Sequence, residues 1–185
     1  MTRLSMIKRL GTAGATALLA CSSVAAQAAS QGSLGGTSQG QITISASVPN
    51  SVQITGLSDI AFTSQDPTVA AAGTENLCVW SNTGSKGYNI KATGSGSSNA
   101  FTLANSGNTV PYTVEWAGTS GQNSGTSLTS GTALTGLTTT ALNATCSSAP
   151  LTTASLIVRI STANLQTMVG SASYTGTLTL LVAPE

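Results

Sequence analysis

Side chains able to do chemistry are few in this sequence, and their types limit it severely. There is no histidine, which removes the commonest general base and the commonest metal ligand, and with them the Ser/His/Asp and Cys/His constellations and metal-type Cys/His clusters. No metal site and no cofactor is expected. Gly32-Ser33-Leu34-Gly35-Gly36 lacks the Lys-Ser/Thr and the following helix of a phosphate loop. A carboxylate pair of the glycosidase kind remains, with Glu115 and Glu75 as candidates, joined by Asp59 or Asp66. Glu115 sits between Val114 and Trp116, on the strand face opposite Tyr112 and Trp116. A solvated strand carboxylate is the commoner case, and no supporting cluster surrounds it, so the chain is expected not to be an enzyme. Trp80 and Trp116 have the flat faces that stack on sugars, but aromatics alternating along strands usually belong to a core. Asn143-Ala144-Thr145 spells a glycosylation sequon that carries little weight alone.

The N-terminus decides which residues belong to the fold. Arg3, Lys8 and Arg9 precede an uncharged run, Leu10 to Ala20, too short to span a bilayer, and Ala26-Gln27-Ala28 offers the small residues of a cleavage site. This is the layout of a secretory signal over residues 1–28, and the protein is expected to be exported. A second reading stays open: Leu18-Leu19-Ala20-Cys21 resembles a lipobox, in which a lipidated Cys21 would anchor the chain to a membrane. With residues 1–28 removed, Lys86, Lys91 and Arg159 face Asp59, Asp66, Glu75, Glu115 and Glu185, a net charge of −2. Three cations cannot neutralise a row of phosphates, so nucleic acid is not an expected partner. No basic amphipathic stretch suggests membrane-surface binding. Cys78 and Cys146 are then the remaining cysteines, and an exported chain with one pair most simply forms one disulfide.

Only 6% of the residues are charged, against about a quarter in ordinary soluble domains. Apolar residues make up 40% and fall in patterned runs, which argues for a folded domain rather than disorder. The period is two. Short candidates are Val52 to Thr55, Ile60 to Thr63 and the neighbourhood of Phe101 and Leu103. Asn76 to Ser81 and Tyr88 to Ala92 flank a polar turn and form the best hairpin signal. Val110, Tyr112, Val114 and Trp116 mark one longer strand, and residues 117–132 read as a long surface loop. Leu134 to Leu142 is a weak strand, Leu156 to Ile160 a clear one, and Ser173 to Ala183 the last. Thr162 to Gly170 has room for a helical turn or two. Many short strands with Gly/Ser turns predict an all-β sandwich.

The first strand suggests a job. After a flexible lead, residues 29–40, Ile42, Ile44, Ala46 and Val48 share one face of an alternating segment, 41–49, that Pro49-Asn50 should end in a turn; the sandwich domain then covers 50–185. Such a strand either opens its own sandwich or leaves to complete a neighbour's sheet. Passed head to tail, that contact does not close and builds a filament.

The run Ile42-Thr43-Ile44-Ser45-Ala46-Ser47-Val48-Pro49, followed by Val52-Gln53-Ile54, resembles the mature N-terminus of class 5 (colonisation-factor, alpha-fimbrial) major pilins. Val110-Pro111-Tyr112-Thr113-Val114-Glu115-Trp116-Ala117-Gly118 is similar to a mid-chain strand of those pilins, and Tyr174-Thr175-Gly176-Thr177-Leu178-Thr179-Leu180 to the final strand of chaperone–usher pilins in general. The resemblance implies an incomplete immunoglobulin-like β-sandwich, a periplasmic chaperone, an outer-membrane usher, other pilin subunits as partners, and a place in a surface fimbria. Ile42, Ile44, Ala46 and Val48 would be the donated side chains. The alternative function is a secreted or lipid-anchored β-sandwich module that binds glycan or surface protein.

Overall fold

The computed structural model describes residues 28–185; residues 1–27, with the signal run and Cys21, lie outside the described residues. The chain divides into two units, Met1–Ser47 and Val48–Glu185. In the described part of the first, Ser30 and Gln41 form a two-bond antiparallel bridge (3.0 and 2.9 Å). The lead expected to be flexible therefore closes into a loop.

The second unit is a β-sandwich. One sheet has the order β1-β2-β9-β6-β7, from β1 (Val52–Thr55), β2 (Ala71–Ser81), β9 (Ala154–Ile160), β6 (Thr113–Ala117) and β7 (Thr126–Ser127). The other has the order β10-β3-β8, from β10 (Leu178–Pro184), β3 (Gly87–Gly94) and β8 (Ala133–Thr138). A separate hairpin joins β4 (Thr102–Asn105) and β5 (Asn108–Pro111), and α1 (Thr162–Leu165) is a single turn capped by the Ser161 side chain. All pairings are antiparallel.

Alternation explains which faces are buried. Leu77 and Val79 of β2, Tyr88, Ile90 and Ala92 of β3, Val114 and Trp116 of β6, and Leu156, Val158 and Ile160 of β9 share the core. Trp116 and Tyr88 meet edge to face at 6.5 Å, and the indole N–H donates to the Tyr88 hydroxyl at 3.2 Å. Burial pushes the Tyr88 phenol above its ordinary range, against the opposing effect of that hydrogen bond. Ile60 and Phe62 form no strand, but their side chains pack on the core and occupy the space a Cβ on Gly73 would need.

Partners differ from the sequence reading in three places. β2 and β3 are not a hairpin: β2 pairs with β1 and β9, β3 with β10 and β8, so the turn at residues 82–86 carries the chain from one sheet to the other. A polar turn of five residues serves either purpose, and alternation specifies a face, not a neighbour. The long strand through Tyr112 is two strands. Pro111 has no N–H to offer, the Tyr112 N–H turns to Phe101 O, and the chain changes partner from β4 to β9. Finally, residues 117–132 are the surface loop expected, but one tied to the sheets. β7 pairs with β6 and Leu128 is buried. Gly121 N–H bonds Asn76 Oδ1 (2.7 Å), Gln122 N–H bonds Ser155 Oγ (3.1 Å), and Arg159 donates to Asn123 O.

Cys78 and Cys146 form the expected disulfide, with Cα atoms 6.1 Å apart and a sequence separation of 68. Both are buried with Ala141, and Trp80 packs against them. The bond ties loop 139–153 onto the face of β2 that points away from the main core. Closing a loop of that length stabilises a fold by about 4 kcal/mol through loop-closure entropy. Replacing both cysteines by serine should lower the free energy of unfolding by about that amount in a denaturant titration. An unchanged midpoint would show that loop 139–153 is held by its hydrogen bonds alone.

Candidate functional site

Three of the four carboxylates singled out for chemistry have a local structural role. Glu115 ion-pairs with Arg159 on the adjacent strand β9 (3.2 Å) and accepts from Gly125 N–H (3.0 Å). Glu75 accepts from Ser58 Oγ at 2.6 Å. Asp66, fully exposed, accepts from the Thr68 hydroxyl and N–H, and these bonds hold its carboxyl below the usual range. Asp59 is exposed. Trp116 is 1% exposed and has no face for a sugar, while Trp80 lies half-buried on the disulfide. The Asn143 side chain is committed within its own loop, accepting from Ser147 N–H and donating to Ser148 Oγ. Among the described residues, no group of three or more Cys, Asp or Glu side chains gathers as metal ligands would.

Sheet edges carry the unsatisfied features. A strand edge exposes a row of main-chain N–H and C=O groups, and folded proteins blunt such rows with bulges, charges, proline or short strands. β7 is two residues long. β8 is broken by a bulge, where Thr135 and Gly136 stand opposite Asn89 alone; Gly136 adopts a φ of 73° and donates its N–H to the Glu185 carboxylate at 2.8 Å. The edge of β10 has none of this along its length. Its seven residues, LTLLVAP, stay in unbroken register with β3, carry no charge, and place a proline only at position 184.

Register shows which groups are free. Glu185 N–H bonds Gly87 O, so the alternation of an antiparallel ladder makes Thr179, Leu181 and Ala183 the residues bonded to β3. Leu178, Leu180 and Val182 direct their main-chain polar groups the other way, where no described strand pairs with them. Their side chains pack half-buried against the core. β1, which adjoins β10, repeats the arrangement. Asn82 N–H bonds Ser51 O, leaving Val52 and Ile54 with free main-chain groups and half-buried side chains. The seam between β10 and β1 therefore offers apolar contact and unused hydrogen bonds from the same five residues.

The segment expected to be a strand is also unpaired. Residues 42–51 belong to no ladder and carry neither turn nor bend, so the turn expected at Pro49-Asn50 is absent. Ile42, Ile44 and Val48 are 76%, 86% and 82% exposed, and Ala46 is exposed with them. Their alternation marked them in the sequence. Val52, Ile54, Leu178, Leu180 and Val182 were legible as strand residues but not as an edge, because an edge is defined by a neighbour that does not come. Comparison with known proteins gives no matching family model and no matching curated relative.

Hydrogen exchange on the monomer should resolve the seam. The Leu180 and Val182 amides should exchange about tenfold or more faster than those of Leu181 and Ala183, which are bonded to β3. Equal protection along β10 would mean that its edge is covered.

Proposed function

We propose that the chain is a structural subunit that polymerises head to tail, residues 41–48 of one copy adding as a strand to the β10 edge of the next. The observation that carries this is a pair of unmet needs in one sequence: an uncharged, in-register edge with free main-chain groups, and an exposed alternating segment with no partner. Each large apolar side chain among Ile42, Ile44 and Val48 would contribute about 1.5–3 kcal/mol once buried along the seam. Main-chain bonds would set the affinity, and alternate side chains the register. A segment of one copy received by a seam built from other residues of the next makes a heterologous contact, which propagates as a fibre.

On this reading the sandwich is immunoglobulin-like and incomplete. The order β1-β2-β9-β6 corresponds to strands A-B-E-D of that fold, and β3 and β10 to C and F. The vacant place beside β10 is that of G. β8 departs from the scheme, since it flanks β3 but follows β6 in the chain. The likeness of residues 42–49, 110–118 and 174–180 to chaperone–usher pilins supports the same assignment. On that likeness we propose that the subunit, after export, belongs to a surface fimbria that supports adhesion, with a periplasmic chaperone and an outer-membrane usher as assembly partners.

Purified protein warmed mildly in SDS should run as a ladder of oligomers, and deleting residues 29–49 should abolish it. A monomer whose stability survives the deletion would overturn the proposal and favour a secreted binding module.

A further inference from the structure

Only Pro49, Asn50 and Ser51 separate Val48 from β1, and loops of two to five residues suffice for a β-hairpin. A hairpin there would fold the donated segment onto the free edge of its own β1, filling the seam of the subunit that carries it. The fold shows no such turn, and one side chain bonds the connection on either side of Asn50. β2 ends at Ser81 and the chain turns away toward β3, so β1 has no main chain to pair with before Ser51. The Asn82 carboxamide takes its place. Ser51 N–H donates to Asn82 Oδ1 at 2.6 Å, Asn82 Nδ2 donates to Pro49 O at 2.9 Å, and the Asn82 main-chain N–H donates to Ser51 O at 3.1 Å. A primary amide carries a donor and an acceptor on one plane, like the peptide group it replaces. The β1–β2 ladder is thus prolonged by two residues on the side away from the seam.

Building on the strand-addition reading, we propose that Asn82 is a positioning residue that keeps residues 49–51 extended, denies segment 41–48 to its own seam and leaves it for a second copy. Aspartate at this position keeps the acceptor for Ser51 N–H but sets a carboxylate oxygen against Pro49 O, where two acceptors cannot bond.

The test traps the strand where it docks. Ile44→Cys is combined in the full chain with Leu178→Cys, Leu180→Cys or Val182→Cys in turn, and oxidised in mixtures of tagged and untagged protein. The new disulfide is mapped by mass spectrometry as within or between chains. With Asn82 in place the cross-links should join different chains; Asn82→Asp and Asn82→Ala should move the ratio about tenfold or more toward cross-links within one chain. An unchanged ratio overturns the role of Asn82 and leaves strand addition standing. No cross-link from position 44 to β10 in any background overturns strand addition itself. Should the Asn82 variants fail to fold, Gly-Gly inserted between Asn50 and Ser51, which takes Pro49 O out of reach of Asn82 Nδ2, is compared with Gly-Gly inserted between Val48 and Pro49, which lengthens the connection equally but keeps all three bonds: a shift toward cross-links within one chain from the first insertion alone supports the role, and equal ratios for the two overturn it.

Discussion

The structure turns on the need of every main-chain N–H and C=O in a sheet for a partner. Most of a sandwich meets it by pairing strands, and what remains is decided at the edges. Here the β8 and β7 edges are blunted, whereas β10 and β1 meet the solvent with free polar groups on the same residues that hold half-buried Leu, Val and Ile side chains. Water can satisfy the polar groups of that seam but not its apolar ones. A strand can satisfy both, and a strand with apolar residues at every second position satisfies them together.

A second constraint is the scarcity of charge, and the fold meets it with hydroxyls and amides. Thr153 Oγ1 serves both the N–H and the C=O of Val79, while Thr139 Oγ1 also donates to Val79 O. Ser81 Oγ donates to Gly87 O, and Ser155 Oγ is shared among Asn76, Gln122 and Thr119. These four residues are buried, and among the described residues no buried side-chain polar atom lacks a partner. Short side chains lose little rotamer entropy on burial, and neutral bonds avoid the desolvation cost of buried ions. The Ser/Thr-rich composition that reads as loop in the sequence is therefore partly the means by which loops 117–132 and 139–153 are fastened to the sheets. The single ion pair among the described residues, Glu115 with Arg159, fastens the same outer face as the first of these loops.

The limits of sequence reading follow from what alternation encodes. It marks the face of a residue, and Leu77, Ile90, Trp116 and Val158 are buried where the pattern put them. It says nothing of which strand lies beside which, so the β2–β3 turn looked like a hairpin, and the change of partner at Tyr112 was hidden in one continuous pattern. Ile42, Ile44, Ala46 and Val48 were legible as an amphipathic strand because their period is local. The seam was not, because it is an absence created by topology, and Asn82 was not, because its role depends on where the main chain of β2 stops. Pro49-Asn50 misled for a related reason. These residues favour turns when free, but Asn82 captures the carbonyl of one and the N–H of the residue after the other.

The proposed assembly has a physical consequence for the free subunit. An edge of seven uncharged residues in regular register is the kind that pairs indiscriminately, and neither a charge nor a bulge can be added to β10 without harming the contact it is meant to make. On that proposal the protection that other strands carry in their sequence would come from outside, as a partner that covers β10 until a second copy arrives. This is the physical role of the periplasmic chaperone in the reading above. It also explains why a clamp such as Asn82 would act at the base of the donated segment and not within it: residues 42–48 must stay apolar and alternating to be accepted elsewhere, so the control over where they go is placed on the last residues before β1.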